Sequence, residues 1–194
     1  MAENLKPVAE APASQSQIQE ELKARDEWFT ATPDPWNEIA LLQYGGDRTF
    51  ASTVNRMVIN AEPAQRPAME AKLLNVLGRP ELTDAGRAFV CRMLGLIGTE
   101  VCVPAVVPLL AQDSTADDAR LALDSIANPK IDEAYRAALG KLHGAARIGV
   151  IGSIAMRGDA QAEEILTAMA ISPTESIEVR AAAERAVKRL VAKP

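Results

Sequence analysis

Aromatic residues make up only 4% of this 194-residue chain. A core so short of Phe, Tyr and Trp must be filled by Ala, Val, Leu and Ile, which favours closely packed helices. There is a single histidine, His143. That excludes any metal site built on two or more histidines, and no other metal-ligand spacing is present. The two cysteines, Cys91 and Cys102, are too few for a disulfide framework. They read as two small buried hydrophobes. No apolar run approaches the ~20 residues that span a bilayer, so membrane insertion is not expected. The N-terminus lacks the apolar stretch of a secretory signal. The chain is therefore cytoplasmic as written, and periplasmic or secreted if a leader has been removed. With a net charge of -5, the chain is repelled by phosphate backbones, which argues against a nucleic-acid partner.

What the sequence does contain is helical periodicity. Residues 1–15, rich in Ala, Pro, Glu and Ser, read as a disordered leader. Ser16 and Gln19 form a capping box that opens a first helix running to about Phe29. Asp34 with Pro35 opens the next, which Gly45-Gly46 closes. Asp47 caps another, stopped by Pro63. Residues 16–62 thus hold N-terminal helices and a first, divergent helix pair. Beyond them, Gly78, Gly98, Asn128-Pro129, Gly158 and Ser172-Pro173 cut the chain into short segments. Apolar residues within these segments recur at three and four, not at two.

Four of the segments align on one arginine: Arg87, Arg120, Arg147 and Arg180. Three residues on stand Val90, Leu123, Val150 and Ala183. Seven on stand Leu94, Ala127, Ile154 and Val187. A shorter helical segment precedes each: 64–77, 103–111, 131–142 and 161–170. Helix pairs repeated at such spacing are solenoid units. The stripe one, four and eight residues on is apolar in the units at Arg87 and Arg147. In the last unit it becomes Ala181, Glu184 and Lys188, as expected of a terminal cap with the array ending near residue 191.

"SIEVRAAAERAVKRL" is similar to the second helix of a HEAT repeat. "FVCRMLGLIGTEVCVPAVVPLLAQD" and "ALGKLHGAARIGVIGSIAMRGDA" resemble units of bacterial HEAT-like repeat proteins. The resemblance covers residues 64–191 well and 34–62 weakly. It implies an all-α fold: about five stacked antiparallel helix pairs in a right-handed superhelix, with the array over residues 63–194. In that family such arrays are frequently one part of larger secreted or envelope proteins that hold partners. No catalytic motif comes with the resemblance.

The stretch "RIGVIGS" invites a second reading, as a dinucleotide-binding turn. The required glycines after Gly152 fall on Ile154 and Arg157, and no second strand follows, so the fingerprint fails. "GSIAM" is not a nucleophile elbow. His143, followed by Gly144, reads as the end of a helix favoured by its dipole. Asp117-Asp118 suits a helix start. No catalytic residue and no cofactor is expected. The aligned arginines read as a structural ladder paired with Asp84, Asp117, Asp118 and Glu178.

The expected function is a scaffold that offers its second-helix face to a protein or peptide partner. The stripe two, five and nine residues after each arginine supplies that face: Phe89, Arg92, Ser125, Gly149, Gly152, Met156, Arg185 and Arg189. Gly149 and Gly152 weaken a helix, which close approach of a neighbouring helix or a partner offsets. Trp28 and Trp36 form an alternative partner site, or a lid on the first repeat. Two other classes compete with the scaffold. A bilin-lyase-like accessory enzyme needs an acid in a polar concave pocket, which this stripe does not offer. A repeat-fold nucleic-acid binder needs a more basic face.

Overall fold

The computed structural model describes residues 14–20, 23 and 33–192. The chain divides into two units, Met1–Asp34 and Pro35–Pro194. In the first, a helix covers residues 15–20. Its capping box is Ser14 with Gln17, not Ser16 with Gln19. The Gln17 amide donates to Ser14 Oγ (3.3 Å), and the Ser14 amide donates to Gln17 Oε1 (2.9 Å). Both pairs have the same spacing, and the earlier one starts the helix. Most of the expected leader and the Trp28-Phe29 pair lie outside the described residues.

The second unit is all-α, with no strand among the described residues. Its helices are α1 (Pro35–Ala40), α2 (Thr49–Ile59), α3 (Arg66–Leu77), α4 (Asp84–Ile97) and α5 (Val103–Val106). They continue as α6 (Asp113–Leu123), α7 (Pro129–Leu139), α8 (Gly144–Arg157), α9 (Glu163–Ile171) and α10 (Ile177–Val191). Short 3₁₀ turns, Val107–Ala111 and Ala160–Ala162, follow α5 and precede α9. Every second helix joins a row: α2 contacts α4, α4 contacts α6, α6 contacts α8, and α8 contacts α10. The intervening helices α3, α5, α7 and α9 each pack on the row helix that follows them.

The sequence pattern explains the packing. Val90, Leu123, Val150 and Ala183 are fully buried, as are Leu94 and Ile154. Burying an aliphatic side chain of this size contributes about 1.5–3 kcal/mol each. Thr83 caps α4, Asn128 caps α7 and Ser176 caps α10, each accepting a backbone amide. Gly158 ends α8 in the left-handed conformation (φ 75°) that glycine adopts without strain.

Two helices stop earlier than their apolar pattern. α1 ends at Ala40, not at Gly45-Gly46. The Thr83 amide bonds Ala40 O (2.9 Å) and Thr83 Oγ1 bonds Leu42 O (2.5 Å), so the entry to α4 takes carbonyls that a longer α1 would have used. α6 ends at Leu123, so Ala127 is exposed and Ile126 takes the buried place. The guanidinium of Arg157, on α8, donates to Ile126 O (2.9 Å) and Asn128 O (3.2 Å), and it reaches Leu123 O and Asp124 O at 3.3–3.4 Å. A cation at the carbonyl end of a helix satisfies orphan acceptors and complements the dipole.

Candidate interaction surface

Three of the aligned arginines, Arg87, Arg120 and Arg147, reach across to a neighbouring element, while Arg180 makes no side-chain hydrogen bond or ion pair with a described residue. Arg87 bonds Asp84 (2.8 Å) on its own helix and Asp118 (3.0 Å) on α6. Arg147 bonds Glu175 at 2.5 Å, an acid not expected in the ladder, and Glu178, which was, bonds none of the aligned arginines. Arg120 bonds Asp117 at 3.1 Å and reaches Ser153 Oγ on α8 at 2.9 Å. Partly exposed pairs of this kind contribute about 1 kcal/mol or less each. Asp117 and Asp118 lie in the middle of α6, because the helix begins at Asp113. Adjacent in sequence, they point apart: Asp117 stays on α6 with Arg120 while Asp118 crosses to α4. Burial holds the Asp118 carboxyl above its ordinary value, with Arg87 acting in the opposite direction.

The α6–α8 seam carries a polar cluster that was not among the expected sites. Tyr135, on α7, is fully buried and donates its hydroxyl to Asp124 (2.7 Å). Ser153 donates to the other Asp124 oxygen (3.1 Å), and Arg120 lies 3.6 Å away. Burial, with Asp124 alongside, pushes the Tyr135 hydroxyl far above its usual range. The cluster is internally satisfied and fixes α6 against α7 and α8.

The exposed face of the row falls on a slightly different stripe from the expected one. Arg92, Ser125, Gly152, Met156, Arg185 and Arg189 are exposed as expected. Phe89 is buried (4% exposed) and belongs to the core. At about 100° per residue, two positions after the arginine falls at the edge of the exposed arc, and that edge closes into the seam. Gly149 is half-buried. A Cβ there would meet Arg120 Nε at 2.7 Å and Asp117 Oδ1 at 2.9 Å. The expected close neighbour of Gly149 is thus a guanidinium. Gly152 has nothing within 4 Å of its Cβ direction, so the face lies open there. Leu121, absent from the expected face, is 51% exposed. With Leu96 (55%) and Met156 (64%) it supplies the apolar part of the face.

Neighbours across the row are not the residues that share an alignment column. The Cβ direction of Gly95 points at Leu121 O, and Ser125 Oγ donates to Gly95 O (3.1 Å). The alignment on arginine would have set Gly95 beside Asn128. Contacts between α6 and α8 pair Asp117 and Arg120 with Gly149, and Arg120 and Asp124 with Ser153. These registers set Leu96 on α4, Ser125 just past the end of α6 and Met156 on α8 along one line. Arg92, Leu121 and Gly152 form the adjacent line.

The alternative aromatic site does not form at Trp36, which is buried (6% exposed) with Lys72 Nζ 5.2 Å from its ring centroid. Trp28 lies outside the described residues. His143 precedes α8 rather than ending a helix; its amide donates to Asp113 (2.8 Å). Cys91 and Cys102 are buried free thiols, which burial pushes up to about 12 and about 11. No group of three or more His, Cys, Asp or Glu residues suited to a metal occurs among the described residues. No described helix is long and apolar enough to cross a membrane. No protein-family model matches the chain, and no curated protein or solved structure is significantly similar to it.

Proposed function

We propose that the chain is a non-catalytic interaction scaffold: a HEAT-like solenoid of about five helix pairs, presenting its second-helix face to a protein or peptide partner. The observation that carries this reading is the face of α4, α6 and α8. There, large apolar side chains at Leu96, Leu121 and Met156 stand about half exposed or more, beside the small residues Ser125 and Gly152. Other large apolar side chains are exposed elsewhere, among them Val101 (68%), Ile171 (78%) and Ile177 (68%), but Leu96, Leu121 and Met156 stand on three successive helices of the row, on one face. Binding on such a face needs no folding step, so little ordering entropy opposes it.

Photo-cross-linking tests the proposal. A photoreactive residue is placed at Gly152, on the face, or at Ala137, exposed on α7. The expected result is a discrete adduct from position 152 in extract of the source cells and none from position 137. Adducts equal from both positions, or absent from 152, would overturn the reading.

A further inference from the structure

The face has a charge pattern that specifies its occupant. The carboxylates on and beside it are bonded within the chain: Asp84 and Asp118 share Arg87, Asp117 and Asp124 share Arg120, with Tyr135 and Ser153 also donating to Asp124, and Glu184 bonds Lys188. Arg92 on α4 and Arg185 and Arg189 on α10 are exposed and make no hydrogen bond or ion pair with a described residue. These three guanidinium groups are therefore the positive charges of this face that no carboxylate bonds, although the whole chain carries -5. The positive groups stand at the two ends, with the apolar patch between them.

The middle of the patch is shaped by what is missing. Ser125 turns its hydroxyl back onto Gly95 O, and so presents little beyond its Cβ. It is bracketed by Leu96 and Met156 on the neighbouring helices and by Leu121 one turn before it. Gly152 leaves a second gap next to Leu121. Each gap suits an apolar side chain entering between exposed apolar walls.

We infer that this face binds an acidic, extended peptide segment. Its apolar side chains seat at Ser125 and Gly152 between Leu96, Leu121 and Met156, and its end carboxylates pair with Arg92 and Arg185. The inference rests on the scaffold reading and adds the chemistry of the partner. From α4 to α10 is three helix-to-helix steps of about 8–10 Å each. An extended chain at ~3.3 Å per residue covers that distance with about nine residues. Arginine suits the role because its planar fork bonds a carboxylate through two parallel donors.

The test is to pan the full chain against a random displayed library of peptides of about nine residues. The expected winners carry Asp or Glu near both ends and aliphatic or aromatic residues between. Their binding weakens with salt, and falls by about tenfold or more in Arg92→Glu and in Gly152→Glu. Both substitutions are at exposed positions, and circular dichroism verifies that the variants fold. Winners that are neutral or basic, yet lost in Gly152→Glu, would overturn the acidic-peptide inference and leave the scaffold reading standing. Acidic winners held equally by both variants would overturn the placement on this face. No enrichment would also overturn the inference, with the cross-linking at position 152 then deciding the scaffold reading separately.

Discussion

The α4–α6 and α6–α8 seams join equivalent helices by different means. At the first, Gly95 lets two backbones touch: a Cβ would stand 2.2 Å from Leu121 O. At the second, Gly149 opens a slot that a side chain fills, the Arg120 guanidinium that continues to Ser153 and the Asp124–Tyr135 cluster. Both seams carry polar contacts, the first through Arg87–Asp118 and Ser125–Gly95, but only the first needs a backbone-to-backbone fit and only the second is built around a buried polar cluster. A glycine in a repeat helix therefore has no single meaning. Gly95 is needed by a backbone and Gly149 by a guanidinium, while Gly152, open on the face, is needed by no packing at all.

Substitution can break this contrast in graded steps. Gly95→Ala is the most damaging, because carbonyl and helix backbones must separate to admit the methyl. A loss of about 3 kcal/mol is expected in urea unfolding. Tyr135→Phe removes a donor from a part-buried carboxylate and should cost about 2 kcal/mol in the same experiment.

The buried thiols make a smaller, pH-dependent prediction. Their native values lie above the ordinary 9.0. Above pH 9 the unfolded chain therefore holds fewer protons than the native one, and stability falls as pH rises towards 11–12. The expected loss is about 1 kcal/mol per thiol one unit above pH 9. Native protein at pH 8 should resist thiol alkylation that the unfolded chain undergoes.

The smallest step separates the other two glycines. Gly152→Ala should stabilise by up to about 1 kcal/mol through helix propensity alone. Gly149→Ala should show no such gain, because its methyl displaces Arg120 from Ser153. Equal melting temperatures for these two variants would contradict the distinction.

Much of the fold was legible in the sequence because helix periodicity and breakers are local signals. Val90, Leu123, Val150 and Ala183 are all core, and Gly78, Gly98 and Gly158 all end helices. What could not be read depends on neighbours distant in sequence. Nothing near Leu123 says that α6 ends there; Arg157, on another helix, makes the early end favourable. Nothing near Ala40 announces that Thr83 will take its carbonyl. The face was legible to within a fraction of a helical turn, enough to find Arg92, Ser125, Gly152, Met156, Arg185 and Arg189. It was not enough to keep Phe89 out or to bring Leu121 in. Aligning on arginine found the core positions of the row helices but not the lateral register, since helices pack by ridge and groove rather than by alignment column. The Asp124–Tyr135–Ser153 cluster left one trace: Asp124 stands where the other internal units are apolar or small. A polar residue at such a position points to a buried partner, and Tyr135 is that partner.

The central claim is that the seams serve the fold while the open face serves a partner. Gly152→Glu tests it most directly, with melting temperature and partner capture measured on the same preparation. The account predicts a melting temperature at or above that of wild type, with capture lost. A variant that melts lower would show that Gly152 is needed by the fold. A variant that melts as predicted but still captures the partner would show that the binding face lies elsewhere.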